Sequence, residues 1–141
     1  MKIFLSGIIQ GSNLGRELND QGYRHAIKAI LRAHCPKVEV VCPMDLHPNS
    51  VDYAPDLGKE TFLALVQEAK AADALIAYLP SASMGTAIEI WEAYRAGVPI
   101  YTITPMTTNW VINFFSTRVF ETLPEFESFI SQGGLDWLVR K

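Results

Sequence analysis

The chain has 141 residues, 49% of them hydrophobic and 19% charged, a balance that fits one globular domain spanning 1–141 with a full core. Its formal charge is −3 and its lysines and arginines form no run, which argues against a nucleic-acid polymer or a membrane surface as partner. No apolar stretch approaches the roughly 18 residues of a membrane span, and only Lys2 precedes the first apolar run, so no signal peptide is expected.

Two cysteines outside a C-x-x-C pair, Cys35 and Cys42, fit reduced thiols in a cytoplasmic protein. His25, His34 and His47 are scattered. No spacing of His, Cys, Asp and Glu reads as a metal site, and no cofactor is expected.

Ile3-Phe4-Leu5 opens as a strand and ends in Ser6-Gly7. The polar turn Gln10-Gly11-Ser12-Asn13-Leu14-Gly15-Arg16 follows. A Gly-rich loop after the first strand of an α/β protein is a usual place to hold a phosphate or sugar, but this one is not G-x-G-x-x-G, and a plain flexible connection fits it equally. Asn19 or Asp20 can cap the next helix, whose apolar positions Tyr23, Ala26, Ile27, Ile30 and Leu31 recur at helical spacing until Pro36. Val38 to Cys42 is a second strand. A long loop runs from Met44 to about Leu57, a length that in compact domains is usually functional or mobile. It carries His47, either a general acid or base or an ordinary surface histidine.

The pattern predicts a helix over Glu60 to Ala71 with Phe62, Leu63, Val66 and Ala69 inward. Ala74 to Tyr78 is a short apolar strand. Ser83 is placed to cap the following helix, whose Met84, Ala87, Ile88, Trp91 and Tyr94 form one apolar face, and Gly97 and Pro99 stop it. A fourth strand spans Pro99 to Ile103, and a second turn Thr104 to Asn109. Trp110 to Phe115 is a short helix with more apolar surface than one inward face can hide, which points to a subunit interface. Val119 to Glu121 is an edge strand. Leu123 to Ile130 is a helix, Gly133-Gly134 a break, and Asp136 to Val139 a last helical turn.

Alternating strands and helices with short apolar strands predict a three-layer αβα fold. It is flavodoxin-like, with a five-stranded parallel sheet in the order 2-1-3-4-5. Ligands of such sheets bind beyond the carboxyl ends of the strands. The segments after strands 1 to 4 are therefore expected to meet at one site.

Within that site Gly85 and Glu89 stand out. Gly in the first helical turn costs about 1 kcal/mol relative to Ala, and Glu89 lies four residues on, along the same face. The pair leaves a notch beside a carboxylate at the positive end of the helix, suited to an anionic or polyhydroxyl ligand. A tightly packed Gly and a solvated Glu are the alternative.

With these residues placed, the chain resembles the nucleoside 2-deoxyribosyltransferase superfamily, nearest its branch of 2′-deoxynucleoside 5′-phosphate N-hydrolases and nucleotide N-glycosidases. The residues that carry this are K-I-F-L-S-G at 2–7 and A-D-A-L-I-A-Y-L-P at 72–80, running into S-M-G-T-A-I-E at 83–89. The resemblance covers roughly residues 1 to 110. It implies that Glu89 is the nucleophile on the anomeric carbon, with Asp73 as a second catalytic residue near the sugar. Ser83, six before the Glu where nucleoside transferases carry Asp, implies a 5′-phosphate and hence nucleoside monophosphates. Gly7, Ile8, Gln10, Ser12, Arg16, Ser83 and Gly85 are the implied binding residues. A neighbouring subunit is implied to complete the site through Asn109 and Asn113, making a homodimer through Trp110 to Phe115.

There are departures. The family's second Asp falls on Leu65, and its loop Arg on Gln10. Glu60, Glu68, Asp45 and Asp52 are the acids open for the leaving group. Three activities remain: hydrolysis of a nucleotide N-glycosidic bond, base exchange as a transferase, and nucleotide binding or sensing without catalysis. Gly85-Thr86 and Glu89 also resemble a phosphoribohydrolase motif, G-G-x-G-T-x-x-E, but lack its preceding glycines.

Overall fold

A computed structural model describes residues 1–139. Five parallel strands lie in the order β2-β1-β3-β4-β5, as predicted. They are β1 (Lys2–Gly7), β2 (Glu39–Val41), β3 (Ala74–Tyr78), β4 (Ile100–Ile103) and β5 (Arg118–Phe120). The helices are α1 (Gly22–His34), α2 (Pro43–Leu46), α3 (Pro55–Lys70), α4 (Met84–Arg95), α5 (Trp110–Phe115), α6 (Leu123–Ser131) and α7 (Asp136–Val139).

The strand side chains divide by alternation, because successive residues of a strand point to opposite faces. Ile3, Leu5, Ala74, Ile76, Tyr101 and Ile103 face α1, α6 and α7 and form one core with Ile27, Leu31, Phe126 and Leu138. Phe4, Leu75, Ala77 and Ile100 face the other way and pack with Leu65, Ala69, Ile90, Ala93 and Ile112 of α3, α4 and α5. Register is fixed by Ile3 opposite Ala74 and Gly7 opposite Tyr78. Both sheet faces are covered, which explains why the strands read as apolar runs.

The segment between β2 and β3 departs from expectation. The loop from Met44 to Leu57 contains α2 and a single 3₁₀ turn over Ser50–Asp52, and α3 begins at Pro55 rather than Glu60. Pro55 suits a first helical position, where no N–H is needed. In α3 the buried positions are Thr61, Leu65, Val66 and Ala69, whereas Leu63 is exposed.

The larger correction concerns α4. Its buried side chains are Thr86, Glu89, Ile90 and Ala93. The row Met84, Ile88, Trp91 and Tyr94, which periodicity marks as the apolar face of the helix, is exposed. The residues against the sheet are smaller than those facing out. The cap and stop behave as predicted. The Ser83 hydroxyl accepts from the Thr86 amide. Gly97 takes φ +77 past the last turn, where a side chain would be strained.

Candidate active site

The segments after β1, β2 and β3 enclose a cavity of about 380 Å³ at the carboxyl end of the sheet. The chain after β1 supplies Gly7, Ile9, Gln10 and Gly11. The segment after β2 supplies Pro43, Ser50, Val51 and Tyr53, and α3 supplies Gly58, Thr61, Phe62 and Leu65. The start of α4 supplies Ser83, Met84, Gly85, Thr86 and Glu89. The fourth expected segment, after β4, lies elsewhere. Thr104 and Pro105 line a separate depression with Tyr78, Pro80 and Leu123.

Glu89 is 7% exposed and lines the cavity. Strand alternation sends Ser6 to the α3–α4 side of the sheet, and its hydroxyl donates a short hydrogen bond to Glu89 Oε2. Burial pushes the Glu89 carboxyl up to about 7, while the Ser6 hydroxyl and the Arg24 charge pull the other way. Arg24 is itself buried. Its guanidinium donates to the Leu5 and Gly7 carbonyls, each at 3.1 Å, and to Gln21 Oε1 at 2.7 Å. It therefore joins the carboxyl end of β1 to α1 and leaves a positive charge behind the carboxylate.

Gly7 has no room for a side chain, because a Cβ there would run into the Tyr23 ring, which stacks on Tyr78 at 4.3 Å between centroids. At Gly85 the situation differs. A Cβ would meet only Phe62, at an ordinary 3.7 Å, so the helix has space for one and the absence of a side chain enlarges the cavity. By helix geometry, the first-turn amides of Met84 and Gly85 have no intrahelical acceptor.

The remaining expected site residues are spread more widely. Gln10 lines the cavity. Ile8 does not; its side chain is buried in the core, its carbonyl accepts from Tyr23 Oη at 2.9 Å, and Ile9 takes its place on the wall. Ser12 is exposed in the loop and outside the lining. Arg16 reaches across that loop to Asp52 at 3.0 Å, next to the lining residues Val51 and Tyr53.

Asp73 is displaced to the wrong end of the sheet. It precedes β3, and its carboxylate accepts from the Lys2 amide at 2.7 Å. One strand length, roughly 17 Å at 3.3 Å per residue, separates it from the cavity end. Asn109 caps α5 by accepting from the Ile112 amide, and Asn113 donates to the Thr107 carbonyl at 2.7 Å; neither lines the cavity of its own chain. Sequence reasoning did not single out Ser6, Arg24, Tyr53 or Phe62 for the site. Only Ser6 carried a signal, as a polar residue at the end of a buried strand.

Among the described residues no cluster of three or more His, Cys, Asp and Glu could hold a metal ion. No described helix is long and apolar enough to cross a membrane.

No family model matches the chain. No curated protein matches its sequence. Solved structures do resemble it. A 2-deoxyribosyltransferase from Bacillus psychrosaccharolyticus is 22% identical over 90% of each chain, with a TM-score of 0.65. A conserved protein from Enterococcus faecalis V583 is 19% identical over 94% of this chain and 98% of that one, with a TM-score of 0.64. The CMP N-glycosidase BcmB from Clostridium botulinum is 19% identical over 94% and 99%, with a TM-score of 0.58. The chain shares its fold with a 2-deoxyribosyltransferase and with an N-glycosidase of a nucleotide.

Proposed function

We propose that the chain is a member of the nucleoside 2-deoxyribosyltransferase superfamily that hydrolyses the N-glycosidic bond of a nucleoside 5′-monophosphate, with Glu89 as nucleophile. The observation that carries this is a single carboxylate, buried and held by Ser6, on the wall of a cavity that also contains a helix start with free amides. Breaking an N-glycosidic bond develops positive charge at C1′ and the ring oxygen. A carboxylate on that face stabilises the charge or bonds to C1′, and water then resolves the glycosyl-enzyme.

The phosphate has a place in this reading. The Ser83 hydroxyl and the amides of the first turn of α4 suit an anion at the positive end of a 12-residue helix. Arg16 pairs with Asp52, which lies in sequence between the lining residues Val51 and Tyr53, and so adds positive charge on that side of the site. The neighbours in fold include both a transferase and an N-glycosidase, so base exchange is the second reading. It is favoured if product forms only when a free acceptor base is supplied.

A homodimer belongs to the same proposal. Met84, Ile88, Trp91 and Tyr94 of α4 and Trp110, Val111 and Phe114 of α5 are exposed on neighbouring helices, tied together by Phe115 against Trp91 and Tyr94. Met84 is part of this patch and also of the cavity lining, so a second copy seated on the patch approaches the cavity rim. Asn109 and Asn113 would then act toward the partner's cavity rather than their own.

The test is incubation with a panel of ribo- and deoxyribonucleoside monophosphates. Glu89→Ala is expected to lose base release by a factor of at least about 1000 while keeping its circular dichroism. Turnover retained in that variant would remove Glu89 from its role.

A further inference from the structure

Among the residues that line the cavity, only Glu89 and Tyr53 are titratable. The acids open for the leaving group are engaged elsewhere or lie outside the cavity lining. Asp45 pairs with Lys28 at 2.7 Å, Asp52 with Arg16, Glu68 with Lys2, and Glu60 is exposed on α3. None of them lines the cavity. Leu65 does, and it presents no proton there. Tyr53 follows the 3₁₀ turn, and its Oη lies 3.0 Å from His47 Nδ1. The two rings meet edge to face at 5.8 Å, so the imidazole holds the phenol from two directions.

We infer that Tyr53, oriented by His47, is the proton donor to the departing base in the reaction proposed above. The inference rests on that reading of Glu89. Its chemistry is as follows. With Nδ1–H donating to Tyr53 Oη, the phenolic hydrogen is left for an acceptor other than His47, and the proposal makes that acceptor the departing base. The C1′–N bond breaks and its electron pair goes to the base. A Glu89 oxygen bonds to C1′, and the phenolic proton passes to the base. The tyrosinate left behind accepts the His47 hydrogen bond. It then takes a proton from water as the water oxygen attacks C1′ and releases Glu89. Tyr53 is a catalytic residue in this scheme and His47 a positioning residue.

The test compares two leaving groups on one sugar. One substrate is the nucleoside monophosphate that the protein hydrolyses fastest. The other is the 4-nitrophenyl furanoside 5-phosphate of the same sugar, whose leaving group departs without a proton. Tyr53→Phe is expected to lower kcat at least 100-fold on the nucleotide and less than fivefold on the nitrophenyl substrate. His47→Ala should follow the same pattern more weakly. His47→Asn, whose amide nitrogen stands near the place of Nδ1, should recover part of the loss. Equal losses on both substrates, or none on either, would overturn the role of Tyr53 while leaving Glu89 in place. Glu89→Ala should lose both substrates. Release of neither leaving group by the unvaried protein overturns the N-glycosidase reading and this role with it.

Discussion

The Glu89 carboxyl is held between opposing forces, and that makes its behaviour measurable. Burial favours the neutral acid, whereas the Ser6 hydroxyl and Arg24 favour the anion, and the outcome lies near 7. A nucleophile must be ionised, so kcat/KM is expected to fall on the acid side with a midpoint near pH 7. Ser6→Ala removes one influence that favours the anion and should move that midpoint to higher pH. An unmoved midpoint in the variant would disconnect Ser6 from the carboxylate. The same group affects stability. Its proton is held more tightly in the folded chain than in the unfolded one, so its contribution is complete below about pH 4.5 and is lost as pH rises through about 7. Glu89→Gln keeps an acceptor for Ser6 and carries no charge. Urea unfolding should show it more stable than the parent by up to about 3 kcal/mol at pH 8 and little changed at pH 5. Equal stability at pH 8 would mean that the carboxylate is better solvated than its burial implies. Glu89 was legible in the sequence because it follows a glycine in a strand–turn–helix context. Asp73 was placed at the site by the resemblance alone. In a parallel sheet a residue before a strand and a residue after it are at opposite ends, and that rule outranks closeness in sequence.

At the scale of the element, α4 reads differently in sequence and in space. Periodicity finds the stripe with the most apolar area, here Met84, Ile88, Trp91 and Tyr94. The sheet instead receives the stripe of Thr86, Glu89, Ile90 and Ala93, whose smaller side chains allow a close approach. A single sequence does not distinguish a core-facing stripe from one that the fold leaves exposed. The cap, the stop and the bounds of α4 were legible, because each depends on a local rule about Ser, Gly and Pro. Gly85 separates stability from function within this helix. A methyl group at 85 meets only Phe62 at van der Waals distance, and Ala is the better helix former. Gly85→Ala is therefore expected to raise stability by up to about 1 kcal/mol. It should also raise the KM for the nucleotide at least fivefold, because the methyl occupies cavity space. Higher stability with unchanged KM would show that the ligand does not use the notch.

At the scale of the whole molecule, the order of strands was legible because crossovers are right-handed and the strands are apolar on both faces. The position of the cavity was legible in part. Three of the four expected segments meet there, but the turn after β4 lines a separate depression with Tyr78, Pro80 and Leu123. That Tyr53 would line the cavity was not legible, since it depends on how α2 and the 3₁₀ turn fold a stretch that reads as loop, and Phe62, placed inward on its helix by periodicity, lines the cavity. The exposed face of α4 and α5 gives a prediction at this scale. The protein should elute as a dimer by size exclusion with light scattering, and Trp110→Glu, which places a charge where 75% of an indole is exposed, should give monomer. A monomeric parent at tens of micromolar would contradict the interface.

The most direct measurement is chromatography of released base after incubation of the purified protein with nucleoside monophosphates, with and without added free bases, alongside Glu89→Ala. Release of base from at least one monophosphate without an acceptor, lost in Glu89→Ala, is the predicted result. A monophosphate that binds and raises the melting temperature but yields no free base after prolonged incubation would contradict the account and leave a nucleotide-binding protein in its place.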